Sequence, residues 1–222
     1  MEIVAVANQK GGVGKTTLAV LLADAITRDG RSVLLVDLDP QANATRACGV
    51  DPTRGVTLGD VLLAPRRFAL MNAVRPGALG FDVAAASTDL AGKERNRTTA
   101  DEHHLGELLG DVDGYDVTLI DCPPSLGALT VNALAAADSY LTVTDASRFA
   151  LDGTVGLKET ADVVRTYFNP ELRHVGVVVN LVDRTLESDR RVRDLTAHWG
   201  SAILRPPLPR HRSRGRPVGR RS

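Results

Sequence analysis

The chain has 222 residues with 27 basic and 27 acidic side chains, so its formal net charge is zero. The balance is uneven: seven arginines and no acid fall in residues 201–222, which leaves residues 1–200 with 20 basic side chains against 27 acidic ones. Two cysteines without a CxxC pair exclude a disulfide framework and make a reduced, cytosolic interior the default. The absence of any apolar run near 20 residues excludes a spanning helix.

In chain order, residues 3–7 are apolar and predict a strand. Residues 15–28 carry a helical pattern that stops at Asp29-Gly30, with glycine near the C′ position. The helix core at residues 18–26 is not a secretory leader, because Asp24 interrupts it and cleavage would discard what precedes it. Between strand and helix lies Asn8-Gln9-Lys10-Gly11-Gly12-Val13-Gly14-Lys15-Thr16-Thr17. Small residues let backbone N–H groups converge on an anion, and the helix N-terminus adds its positive end. Lys15 is the point charge for β- and γ-phosphates, and Thr16 the hydroxyl for Mg²⁺. Gly11, Gly12, Val13, Gly14 and Thr17 complete the cradle. Gln9 stands where the plain P-loop has its first glycine, and a second lysine, Lys10, precedes the glycine pair.

That lysine pair resembles the deviant Walker A motif of the ParA/MinD family of ATPases. The resemblance implies a P-loop NTPase of the α/β class, with a mostly parallel β-sheet flanked by helices on both faces. It also implies that Lys10 reaches across a dimer interface to the partner's nucleotide.

Residues 32–36 read as a strand buried on both faces, as in parallel sheets. It delivers Asp37-Leu38-Asp39-Pro40-Gln41 to the sheet's C-terminal edge, where open α/β folds bind ligands. The segment is similar to the ParA Walker A′ element. The resemblance implies that Asp39 positions the attacking water and that Asp37 supports the Mg²⁺ and phosphate-turn network. The competing reading is that these carboxylates cap a helix starting near Ala42.

Residues 57–63 predict a short helix, and Pro65-Arg66-Arg67 and Arg75-Pro76-Gly77 predict breaks. Residues 81–86 predict a strand, Ser87-Thr88-Asp89 caps for a helix through Arg95, and residues 96–100 a loop. His103 and His104 are adjacent and cannot share a helix face, so surface histidines are expected rather than a metal pair. Residues 115–120 predict a buried strand ending in Asp121-Cys122-Pro123-Pro124-Ser125. An acid after an apolar strand is the Walker B arrangement, and Asp121 is expected to orient Mg²⁺; its wording again resembles ParA.

A helix over 126–136, a strand over 140–144, a helix over 153–167 and a strand over 175–179 follow. In the loop before the second of these helices, the Phe-Ala-Leu-x-Gly portion resembles the family's loop, whereas Asp145, Ser147 and Arg148 depart from it. Asn180 ends the last strand, in an Asn-x-x-Asp placed where P-loop relatives read a purine base. Its amide offers a donor and an acceptor together, which suits adenine. Arg184, Arg190, Arg191 and Arg193 flank or line a helix over 188–199, and by charge they are the candidate DNA contacts, a solvated face being the alternative. Leu208-Pro209-Arg210 resembles the family's Ile-Pro-Arg segment beside the adenine, with Pro209 as the contact. The rest of residues 206–222 is Arg/Pro-rich, lacks apolar periodicity and is expected to be disordered. It is either a native basic tail or the product of truncation or a frame shift.

Residues 1–205 are thus expected to form one ATPase domain. The resemblance to the ParA/Soj branch implies a DNA partitioning ATPase with ATP and Mg²⁺ as cofactors and slow basal turnover. It implies an ATP-bridged homodimer on non-specific DNA, a ParB-like partner that stimulates hydrolysis, and a cytoplasmic, nucleoid-associated location. The first strand starts at Glu2, so no separate operator-binding domain is expected ahead of it. A MinD-like membrane ATPase would need a terminal amphipathic helix, for which the tail has no apolar face. An iron–sulfur reductase would need cluster-bridging cysteines, and Cys122 sits beside Asp121 instead. A non-hydrolysing nucleotide- or DNA-binding remnant is the remaining alternative.

Overall fold

A computed structural model describes residues 1–64, 66–95 and 103–210. The expected loop at 96–100 and the tail from 211 onward lie outside the described residues, as does Pro65. Among the described residues, eight strands form one sheet: β1 (Glu2–Ala7), β2 (Val33–Asp37), β3 (Val74–Pro76), β4 (Asp82–Ala84), β5 (Val117–Asp121), β6 (Ser139–Asp145), β7 (Arg173–Asn180) and β8 (Ile203–Leu204). Their spatial order is β3-β4-β2-β5-β1-β6-β7-β8, and every neighbouring pair except β3–β4 is parallel. The helices are α1 (Lys15–Arg28), α2 (Asn43–Ala47), α3 (Leu58–Leu63), α4 (Leu90–Arg95), α5 (His104–Gly110), α6 (Ala128–Ala136), α7 (Ala150–Tyr167) and α8 (Leu186–Trp199).

Every residue of β2 and β5 is buried, as unbroken apolar runs require when both faces are covered. Side chains alternate between the two faces. Leu34, Val36 and Ile120 join a core with Leu129, Leu134 and Leu157 of α6 and α7. Val33, Leu35 and Leu119 join a second core with Ala19 and Ala23 of α1. A smaller third core sets Leu195 of α8 against Val177, Val179 and Ile203.

Three local readings change. Val74–Pro76, of which Arg75 and Pro76 were expected in a break at Arg75-Pro76-Gly77, pairs antiparallel with β4 as the sheet's edge strand. An edge is where Pro76 can sit without removing a needed ladder bond. Helix α5 was not read from the sequence, although Leu105, Leu108 and Leu109 carry the i, i+3, i+4 spacing that packs against the core; seven residues with two glycines make that signal short. Two-residue β8 was likewise too short to read. His103 is exposed, as expected, and His104 is half-buried at the start of α5.

The topology fixes the site. Central β1 lies between β5 and β6, and the chain leaves it towards β2 on one side while β6 and β7 extend the other. Register sets Asp37 beside Asp121 at the ends of β2 and β5, and Asp145 beside Asn180 at the ends of β6 and β7. All four stand on the C-terminal edge, at the switch point where open α/β sheets bind ligands.

Candidate nucleotide site

The turn after β1 is held from below. Buried Asn8 donates from Nδ2 to the Val143 carbonyl at 2.7 Å, and its Oδ1 accepts the Lys10 N–H at 3.1 Å. Gly14 precedes α1 with φ 91°, a left-handed conformation for which glycine is the natural residue. The Asn180 amide nitrogen fills the space where a Cβ on Gly14 would project. That same nitrogen donates to the Val13 carbonyl at 2.9 Å, so the end of β7 is tied to the turn. No side chain caps α1 and no acid stands in its first turn, which leaves its first N–H groups for an anion.

A cleft of about 530 Å³ opens over this turn, lined by Gly11, Gly12, Gly14, Lys15, Thr16, Thr17, Asp39 and Pro124 among others. Lys15 is buried, with Nζ donating to the Lys10 carbonyl at 3.1 Å. Burial lowers its pKa, against the attraction of Asp121, Cys122 and Asp39. A basic side chain held dry at the bottom of an anion cradle is poised for phosphate.

The three acids differ. Asp37 is fully buried; Oδ1 accepts the Asp39 N–H at 3.2 Å, and Oδ2 accepts the Thr45 N–H and hydroxyl at 2.8 and 2.7 Å. It therefore caps α2, whose first turn contains Thr45. Burial pushes its pKa up to about 6 despite those bonds. Asp39 lies in the cleft wall, its Oδ1 accepting the Gln41 N–H at 2.9 Å. Asp121 is fully buried, and neither carboxylate oxygen has a hydrogen-bond partner among the described residues. Burial, reinforced by repulsion from Asp37, pushes it up to about 7; the nearby Thr16 hydroxyl and Lys15 act the other way without closing a hydrogen bond of ordinary length. A buried carboxylate with two orphaned oxygens beside a hydroxyl is a donor set that fits a hard divalent cation. Among the described residues no cluster of three His, Cys, Asp or Glu forms a metal cage. Mg²⁺ needs none, since it binds through few protein groups plus phosphate and water.

Lys10 had no partner foreseeable from sequence. Its Nζ contacts Asp145 at 2.7 and 3.0 Å and Ser147 Oγ at 2.6 Å. The one available signal was that these two positions depart from the family loop. Beyond them a second cleft of about 390 Å³ is lined by Arg148, Asp183, Thr185 and Arg210 among others. Pro209 bridges Val182, while Leu208 and Arg210 bond to Val179 and Val182. Residues 206–210 thus continue the sheet edge rather than stand apart from it.

The basic cluster is split. Arg190 and Arg193 lie three residues apart on α8 and are exposed, as is Arg184 before it. Arg191 turns to Glu187 at 3.8 Å and Asp194 at 3.6 Å on its own helix.

Sheet order, phosphate turn and the paired strand-end acids define a P-loop nucleoside-triphosphatase carrying the two-lysine variant of the turn. Comparison with known proteins narrows this. Residues 1–174 match the model of an AAA domain family. The chain is 43% identical to the chromosome-partitioning ATPase Soj of Thermus thermophilus over 94% of its own length and 81% of the relative's. It is 39% identical to the chromosome partitioning protein ParA of Caulobacter vibrioides, over 95% and 81%. A solved structure described as cobyrinic acid a,c-diamide synthase from Mycobacterium smegmatis, with bound ATP analogue and magnesium, superposes with a TM-score of 0.89 at 38% identity, covering 95% of this chain and 88% of that one. The chain belongs to the ParA/Soj family of partitioning ATPases.

Proposed function

We propose that this chain is a DNA-segregation switch in which ATP and Mg²⁺, bound in the cleft over the turn, join two copies that hold DNA until hydrolysis. The observation that carries the reading is the contrast between the turn's lysines: Lys15 is buried in the cradle, whereas Lys10 stands at its rim with its side chain 31% exposed. Only a lysine at the rim can reach a nucleotide held by another copy.

Within that reading, backbone N–H groups of residues 11–17 and the Lys15 ammonium bind the phosphates. Asn180 and the segment around Pro209 bind the base. Thr16 and Asp121 hold Mg²⁺, which neutralises charge on the phosphates when bound. Asp37, its oxygens already committed to α2 and Asp39, supports that network from behind. Asp39 orients the attacking water through its carboxylate. Lys10 of the second copy stabilises the charge that develops on the transferred phosphate. Exposed Arg184, Arg190 and Arg193 contact DNA phosphates without reading sequence, with Arg191 a weaker contributor because its own helix engages it. Residues 1–205 carry the nucleotide switch together with the sheet-bound segment 206–210, and the arginines beyond that segment add affinity by counterion release. A ParB-like, centromere-bound partner stimulates hydrolysis, and the switch works on the nucleoid in the cytoplasm. Among the described residues no helix is long and apolar enough to cross a membrane.

The test is DNA retention of purified protein with ATP, ADP or no nucleotide. Retention should require ATP, vanish in Lys10→Ala and persist in Asp39→Ala. Retention without nucleotide that disappears only on removal of residues 211–222 would mean a passive basic tail.

A further inference from the structure

The contact between Lys10 and the loop after β6 is left unexplained by that function, and it opposes it. An ammonium has three N–H donors. Lys10 Nζ faces three acceptors inside its own chain: Asp145 Oδ2 at 2.7 Å, Asp145 Oδ1 at 3.0 Å and Ser147 Oγ at 2.6 Å. Ser147 in turn donates to Asp145 Oδ1 at 2.7 Å, which fixes the acceptor triangle. The lysine is fully served where it is and must abandon all of this to act elsewhere.

Both ends of the contact rest on rigid supports. Asp145 is the last residue of β6 and pairs with Asn180 of β7. Asn180 holds Val13 of the turn. Asn8 pins the start of the turn to Val143 of β6. The Lys10 ammonium and the Asp145 carboxylate are therefore brought together by the sheet rather than by drifting surface arms. Their side chains are 31% and 16% exposed, which places the pair between the surface regime, where such pairs count for little, and the buried regime, where breaking one is expensive. Burial by itself would raise the Asp145 pKa, yet its contacts with Lys10 and Ser147 outweigh burial and hold it below the ordinary carboxylate value.

We propose that Asp145, assisted by Ser147, is a positioning residue that holds Lys10 within its own protomer and so sets the threshold at which two nucleotide-loaded copies pair. The inference rests on the role given to Lys10 above. A lysine already satisfied in cis lowers the net gain of its contact in trans by the strength of the cis contact, and the dimer then forms only at higher protein concentration.

Two readouts test it. In the first, sedimentation with ATP and Mg²⁺ measures the monomer–dimer constant of wild type, Asp145→Asn, Ser147→Ala and Lys10→Ala. Asp145→Asn is nearly isosteric and removes the charge. It should tighten the dimer about tenfold, equivalent to about 1.4 kcal/mol, with a smaller gain for Ser147→Ala and unchanged ADP affinity in both. A parallel change in ADP affinity would mean that Asp145 shapes the turn, and would overturn the proposal. So would an unchanged dimer constant.

In the second, nucleotide-free protein is treated with an amine-reactive reagent and modification of Lys10 is followed by peptide mass spectrometry, with buried Lys15 as reference. Asp145→Asn should speed labelling of Lys10 several-fold, and an equal rate would overturn the proposal even if no dimer were measurable. If Lys10→Ala pairs as well as wild type, the trans role of Lys10 fails and the inference falls with it. If Lys10→Ala fails to pair but Asp145→Asn behaves as wild type, the inference alone fails.

Discussion

At the ends of β2 and β5, two carboxylates lie side by side with no exposure, one fully hydrogen-bonded and the other with both oxygens orphaned. On α8, by contrast, arginines and acids are mixed along a mostly exposed helix, and the ion pairs of Arg191 run to neighbours one turn away. The first region stores unfavourable electrostatics that a proton or a bound cation relieves. The second stores almost none, because water already solvates it. The proposed function accordingly puts chemistry in the first region and reversible, salt-sensitive binding in the second.

The largest expected break in this contrast is Gly14→Ala. The new methyl meets the Asn180 amide and the backbone sits at φ 91°. Strain and overpacking together should cost about 2–5 kcal/mol in urea unfolding and abolish nucleotide binding. A near-wild-type midpoint would show that the turn yields more easily than its anchors imply.

Next is Asp121→Asn, for which stability and activity should move in opposite directions. The native pKa of about 7 lies above the ordinary value of 3.8. Native protein keeps a proton that the unfolded chain has released across that window. Stability without nucleotide or Mg²⁺ should therefore fall as pH rises from about 4 to about 7, then level off. Asp37, raised to about 6, adds to the fall with the same sign. Asp121→Asn should flatten this slope and add about 1–3 kcal/mol at pH 8, while Mg²⁺-dependent turnover is lost. Thermal melts across the pH range read both effects; a variant less stable at pH 8 would contradict the assignment of Asp121 as a destabilised cation ligand.

The smallest effect on stability is expected on α8. Arg190→Glu with Arg193→Glu should change folding by less than about 0.5 kcal/mol. The same pair should weaken DNA retention and lower its salt dependence by roughly one unit of slope for each DNA phosphate that is no longer neutralised. Arg191→Gln should do less than either. If it does more, the ion pairs with Glu187 and Asp194 do not restrain it.

Legibility in the sequence divides along the same line. The central strands and α1 could be read because continuous apolar runs and a glycine stop each have a single structural meaning. The acids of the edge could be read because each follows such a run directly. What escaped depended on distant partners. The reading of the strand-end acids as caps for a helix near Ala42 holds for Asp37, which takes Thr45 of α2, whereas nothing near Asn180 foretold that it would meet Val13 across 167 residues. Lys10 and Asp145 meet only because β1 and β6 are neighbours, which is a fact of topology. On α8 the charges and their spacing were visible, but Arg190 and Arg193, like Arg191, stand three or four residues from acids, and only the side-chain placement shows that Arg191 takes Glu187 and Asp194.

In the proposed switch, ATP joins two copies through this edge. Light scattering of Asp39→Ala protein with ATP and Mg²⁺ tests it most directly. The expected result is twice the chain mass with ATP, the chain mass with ADP, and the chain mass with either nucleotide when Lys10→Ala is added. A protein that stays at the chain mass with ATP, or that doubles regardless of Lys10, would contradict it.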